Sequence, residues 1–276
     1  MLSVKRHRLF KDGAGVPFKQ TKHQSSGNIK PKYIVLHDTA GRLDFDGSFH
    51  YLANNDRNVS AHLVVGRDGE IGQTGAFNRK LWHAGKSSWR GDVRLNDCSI
   101  GIEMVNLGKC KEQAEGCYKP WFNAVFKDRN GLEFEQASTE LHGSGWWLDY
   151  TTEQVLAVEE ICEALVAAYT TIIDIVGHWQ VSPGRKVDPN PLFPLASVKA
   201  RAFGRDDREP GSFALVNTRI CEWPSRSSVA VEAVSVGQEL TPIRSGTYSH
   251  DGGPETFWLV RTDSHEGWLP ASDIQL

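Results

Sequence analysis

No stretch of the 276 residues approaches the ~20 consecutive apolar side chains that a membrane-spanning helix needs. The best candidate, residues 161–176, is interrupted by Glu163, Thr170, Thr171 and Asp174. The first 20 residues hold no apolar core of the kind found in secretory leaders, so the expectation is synthesis in the cytoplasm without a classical signal peptide. Cysteine is scarce and odd in number, five in all, which excludes a complete disulfide framework; only Cys110 and Cys117 are close enough for a local bridge. Charge of one sign is also lacking: the net of −3 argues against a general nucleic-acid binder. No internal repeat is visible.

What charge there is lies unevenly. Residues 1–31 and the two that follow carry Lys5, Arg6, Arg8, Lys11, Lys19, Lys22, Lys30 and Lys32 against the single acid Asp12. They read as a basic, solvated N-terminal arm. The mixture of 39% hydrophobic and 24% charged residues is that of a globular chain, and nine tryptophans promise broad flat apolar surfaces.

Apolar patterning then divides the chain. Residues 32–37 (KYIVLH) and 99–105 (SIGIEMV) read as buried strands, 60–65 and 70–74 as two more joined by a turn at Asp68-Gly69, and 172–176 as another. Residues 45–53 suggest a short helix. Residues 152–169 suggest a longer one, with Val155, Val158, Cys162, Leu165, Val166 and Tyr169 on one face and a capping box from Thr151 and Gln154. The fold class is therefore α/β, a mixed central sheet flanked by helices over 32–204. Residues 107–149 look irregular and read as an insertion, the kind of long loop that often carries function. Residues 205–214 resemble a linker, and 215–276, with short strand-like runs between turns, a small all-β barrel.

Among ten histidines, His37 ends one apolar strand and His178 another, and Asp188 follows in a proline-rich loop. Two imidazoles and a carboxylate with an open fourth position form the ligand set of a catalytic zinc. Spacing alone does not select these three, since 141 residues separate the histidines.

Order of motifs does. Residues 33–40 (YIVLHDTA), 59–62 (VSAH), 82–85 (WHAG), 96–103 (NDCSIGIE) and 177–178 with 183–189 (GH and PGRKVDP) occur in that sequence. Together they resemble the zinc-dependent N-acetylmuramoyl-L-alanine amidases, the family that includes muropeptide-recycling enzymes, phage lysins and animal peptidoglycan-recognition proteins. The resemblance covers roughly residues 32–200. It implies Zn2+ as cofactor and cleavage of the amide between N-acetylmuramic acid and the L-alanine of the stem peptide. It also implies His37, His178 and Asp188 as metal ligands, Glu103 as the acid–base residue that activates the attacking water, and Lys186 as the cation facing the developing oxyanion. Certain phage members carry a tyrosine before the histidine of the second strand; here that position is Ala61, so acid–base duty falls on Glu103. His62 and His83 are candidates for supporting the metal site or touching substrate, and Trp82 and Trp179 for stacking on sugar. Residues 215–276 resemble bacterial SH3-like domains through VNTR at 216–219 and the runs 257–261 and 266–270, which implies binding to cell wall.

The partners implied are peptidoglycan or a muropeptide, with an immunity or delivery protein beside them if the role is antibacterial. The site of action is then the periplasm or cell wall, as lysin or effector. Two alternatives stay open at this point: a non-catalytic recognition protein and a cytosolic recycling amidase.

Overall fold

The computed structural model describes residues 1–129, 131–204, 212–236, 238–250, 253–262 and 264–275. The chain divides into two units, 1–206 and 207–276. Among the described residues no helix is long and apolar enough to cross a membrane.

The basic N-terminus is not a solvated arm. Strands β1 (Leu2–Lys5), β2 (Arg8–Lys11) and β3 (Ala14–Gly15) form a small antiparallel sheet. Leu2, Leu9 and Val16 are buried in the main core, while Lys5, Arg6 and Lys11 face water. Three apolar side chains spaced by tight turns are enough to dock the segment, at roughly 1.5–3 kcal/mol for each large side chain buried. Buried Gln73 accepts a hydrogen bond from the Leu9 amide at 2.9 Å and donates to the carbonyls of His7 and Gly75, stitching the segment down.

The central sheet is built from β4 (Tyr33–Asp38), β5 (Leu63–Val65), β6 (Ile71–Gln73), β7 (Ser99–Met104) and β8 (Asp174–Gly177), in the order β8-β4-β7-β5-β6. The β8/β4, β4/β7 and β7/β5 pairs are parallel; the β5–β6 hairpin is antiparallel. β4 is buried along its whole length, which explains an apolar run without alternation: both faces are covered.

Helix α1 (Phe45–Ala53) starts at Asp44, whose carboxylate accepts from the Gly47 amide, and packs Phe49 and Leu52 against Ala61, Val64 and Val105. Helix α2 (Thr152–Ala168) buries Val158, Ile161, Cys162 and Leu165. Thr151 caps it by accepting from the Gln154 amide, but the reciprocal half of the expected capping box does not form. Gln154 is fully buried and instead donates to the carbonyls of Val65 and Val105, tying the helix across the ends of two strands. The short α3 (His178–Val181) follows β8 directly, and α4 (Leu195–Ala202) packs on α2, with Arg201 paired to Glu159 and Glu163.

Residues 107–149 are not irregular. They form a five-stranded antiparallel sheet from Lys109–Ala114, Cys117–Lys119, Phe126–Lys127, Phe134–Thr139 and Gly143–Leu148. Its own core holds Leu107, Cys110, Tyr118, Phe134 and Leu148, with the Tyr118 and Phe134 rings stacked at 4.2 Å. Its strands are two to six residues long and carry charge on the open face, so their alternation is weak in sequence. All five cysteines are free, Cys110 and Cys117 included.

The second unit is a seven-stranded antiparallel sheet around Ala214, Ile220, Val234, Leu240, Val260, Leu269 and Ile274. Of the expected linker, 205–211 lies outside the described residues. Ser212–Ala214 is already a strand, paired with residues 239–240 and 274–275.

Candidate active site

Three parallel strands end side by side, and each delivers one functional group. His37 is the penultimate residue of β4, Glu103 lies in register with it on β7, and His178 is the first residue after β8. This is the carboxyl edge of the sheet, where α/β folds place their ligands. Asp188 arrives from the loop after α3. The Nδ1 atoms of His37 and His178 are 2.8 Å apart, and Asp188 Oδ2 lies 3.2 Å from the first and 2.9 Å from the second.

Hydrogen bonding fixes what these atoms present. The Leu95 carbonyl can only accept, so Ser99 Oγ donates to it at 2.5 Å. The Ser99 oxygen therefore accepts from His83 Nε2, which leaves His83 Nδ1 to accept from His37 Nε2 at 3.1 Å. His178 Nε2 donates to the Ala84 carbonyl at 3.2 Å. Both ligand-type histidines thus carry their proton on Nε2 and aim a bare Nδ1 lone pair at the same point, assigned from the network. Burial is the main force pushing the His37 imidazole down to about 4, with the neighbouring His178 adding to it. Near neutral pH the His37 imidazole is therefore an electron-pair donor, and the Asp188 carboxylate is a second. Two nitrogen lone pairs and a carboxylate oxygen converging within 3.2 Å repel one another unless a cation lies between them. Two imidazole nitrogens and one carboxylate oxygen are a donor set that fits zinc.

Glu103 faces the same cleft, and its Oε2 is buried with no hydrogen-bond partner. Burial, reinforced by the negative charges of Asp188 and Asp38 and opposed by Lys186, pushes its carboxyl up to about 8. An unpartnered oxygen at that position is costly for stability and useful to a proton-transfer group. Lys186 also lines the cleft, whose volume is about 950 Å³.

The other expected residues divide. Trp82 lines the cleft and donates from Nε1 to Ser25 Oγ. His83 lines it too, but both ring nitrogens are engaged by His37 and Ser99, so it acts through His37. Gly101 makes room for it: a Cβ there would lie 2.5 Å from the His83 ring, which explains a glycine in the middle of a buried strand. His62 is fully buried behind His83, accepting from the Gly101 amide and donating to the Arg79 carbonyl. That is a structural tie between strands, one layer further from the cluster than expected. Trp179 does not reach the cleft. It packs on His142 beside a separate cavity of about 350 Å³, although its backbone amide holds the Asp188 carbonyl.

Two groups went unseen in the sequence. Asp38, directly after His37, accepts from Tyr150 Oη at 2.6 Å and from the Asn190 amide at 2.9 Å. It thereby pins the loop that carries Asp188. Burial chiefly raises its carboxyl to about 7. An acid adjoining a ligand-type histidine at a strand end was the available signal. Trp121, Phe122 and Asn123 line the cleft as well; the sequence marked their insertion as a segment of the kind that carries function but singled out none of the three.

A model of the N-acetylmuramoyl-L-alanine amidase family matches residues 27–191. The chain belongs to that family. Over 188 residues it is 31% identical to the 1,6-anhydro-N-acetylmuramyl-L-alanine amidase AmpD of Salmonella typhimurium, covering 62% of this chain and 80% of that one. Over 182 residues it is 32% identical to the N-acetylmuramoyl-L-alanine amidase AmiD of Escherichia coli, covering 63% of this chain and 54% of AmiD. Among solved structures, AmiD in complex with anhydro-N-acetylmuramic acid-L-Ala-D-gamma-Glu-L-Lys aligns at a TM-score of 0.46 with 26% identity, over 73% of this amidase-family chain and 65% of that one.

Proposed function

We propose that this protein is a zinc-dependent amidase that hydrolyses the bond between the lactyl group of N-acetylmuramic acid and the L-alanine of the peptidoglycan stem peptide. The observation that carries the reading is the unpartnered Glu103 Oε2 beside the converging His37, His178 and Asp188 donors. Zinc held there supplies Lewis acidity, bringing the pKa of a coordinated water to ~7 and polarising the scissile carbonyl. The chain's own residues do the rest. The positive charge of a metal held by His37, His178 and Asp188 would bring the Glu103 carboxyl back to its ionised form, and that carboxylate would take a proton from the attacking water and return it to the departing alanine amine, a contribution of ~10²–10⁴ in rate. The Lys186 ammonium sits where negative charge grows on the carbonyl oxygen. His83 and Ser99 hold His37 in the tautomer that leaves Nδ1 free, and Asp38 with Tyr150 steadies the Asp188 loop.

The second unit, read as SH3-like from its motifs, serves to hold the enzyme on cell wall, which favours a polymeric substrate and a lysin or effector role. A purely non-catalytic recognition role is disfavoured because Glu103 and Lys186 stand at the cluster alongside all three donors. Digestion of purified peptidoglycan by the zinc-loaded protein tests the reading. New L-alanine amino termini with glycan strands left intact are expected; new reducing sugar ends without free alanine amines would overturn it.

A further inference from the structure

Trp121 is 78% exposed, yet it is held in one orientation. Its Nε1 donates to the Ala40 carbonyl at 2.5 Å, three residues beyond His37. Its ring meets Phe122 edge-on at 5.7 Å, and Phe122 is anchored in the insertion's core and against Phe126. The acceptor is itself fixed. Ala40 takes a left-handed conformation at φ 44°, and Gly108, at φ 69°, packs so closely that a Cβ there would lie 3.0 Å from that of Ala40.

Single exposed apolar residues are ordinary on a protein surface. This one differs in lining the catalytic cleft and in having its only polar atom already committed. What remains on offer is a flat π face. Such a face is electron-rich and attracts weakly positive C–H groups, while it gives a carboxylate nothing to bond. The bond cleaved by the proposed activity joins a peptide to a sugar, so one side of the cleft must receive pyranose. The face of a pyranose, lined with axial C–H bonds, complements an indole, whereas the acidic stem peptide is better matched by the cleft's Arg42 and Arg57. Because the ring is already held, little freedom is lost when sugar lands on it.

We propose that Trp121 is a glycan-stacking subsite, contributed by the insertion, that takes an N-acetylated aminosugar ring of the peptidoglycan strand. This rests on the amidase reading for its substrate but adds a residue and a recognition role outside the metal centre.

The test compares wild type, Trp121→Ala and Trp121→Phe as full-length zinc-loaded proteins. The substrates are a peptide-bearing tetrasaccharide of alternating N-acetylglucosamine and N-acetylmuramic acid, and a sugar-free N-lactyl stem peptide. Trp121→Ala is expected to raise KM about tenfold on the tetrasaccharide (~1.4 kcal/mol) with kcat unchanged, and to leave the sugar-free substrate unaffected. Trp121→Phe keeps a smaller face but loses the N–H that holds it, so its KM on the tetrasaccharide should fall between those of wild type and Trp121→Ala. Equal losses on both substrates, no loss on either, or a Phe variant as poor as the Ala variant would overturn the subsite. Calorimetric binding of N,N′,N″,N‴-tetraacetylchitotetraose needs no turnover. Weaker binding by Trp121→Ala supports the subsite, and unchanged binding contradicts it. Failure of the wild-type protein to cleave either substrate would instead count against the amidase reading, leaving the binding comparison to decide the subsite.

Discussion

Two walls of one cleft are built on different principles. The wall that carries His37, Glu103 and His178 consists of the ends of three adjacent parallel strands, buried on both faces and locked by hydrogen bonds to backbone carbonyls. The wall that carries Trp121, Phe122 and Asn123 is a connection between two short strands of an antiparallel sheet with a small core of its own. The first arrangement suits chemistry, because a 1 Å error in a ligand or a base is expensive and a doubly covered sheet does not drift. The second suits recognition, because hairpins tolerate change at their tips without disturbing the strands beneath. On the proposed roles, chemistry and substrate choice are separated within a single cavity.

Asp188→Ala should have the largest effect, because it removes a charge that both histidines need: bound zinc and turnover should disappear together, read by metal analysis and by peptide release on the same preparation. Next comes Lys186→Ala, which should keep its zinc while losing ~10²–10³ in kcat, as oxyanion-stabilising groups do. A Lys186→Ala protein with wild-type kcat would remove the lysine from the chemical wall.

His83→Ala should be milder. It breaks the chain from Leu95 through Ser99 to His37, so zinc affinity should fall ~10–100-fold, measured by competition with a chelator, with turnover recovering at saturating zinc. Unchanged affinity would mean that His37 finds its tautomer without help. The smallest effect on chemistry should come from the opposite wall. Phe134→Ala removes a ring stacked in the insertion core and should cost that sheet ~3–5 kcal/mol, visible as faster amide exchange over 109–148. Zinc content should stay at wild-type level. If zinc is lost too, the two walls are not independent.

The same contrast explains what could be read from the sequence. β4 was legible because a strand buried on both faces leaves an unbroken apolar run, and α2 because its buried stripe recurs at helical spacing. His37, His178 and Asp188 were legible only through motif order, since contact across 141 residues leaves no local trace. The insertion was unreadable because strands of two to six residues with Lys109, Lys111 and Glu112 among them show no stable alternation. At the N-terminus, eight cations outweighed Leu2, Leu9 and Val16 in the reading, although it is these three that dock the segment. The capping box held only for Thr151, because the Gln154 side chain donates instead to the carbonyls of Val65 and Val105.

The most direct test is zinc content and turnover measured together on Glu103→Gln. Glutamine keeps the size and hydrogen-bonding reach of the side chain but cannot accept a proton under these conditions. Wild-type zinc occupancy with turnover reduced ~10²-fold or more is expected. A folded Glu103→Gln protein that turns over at the wild-type rate, or one that has lost its zinc, would contradict the assignment of proton transfer to Glu103 and metal binding to His37, His178 and Asp188.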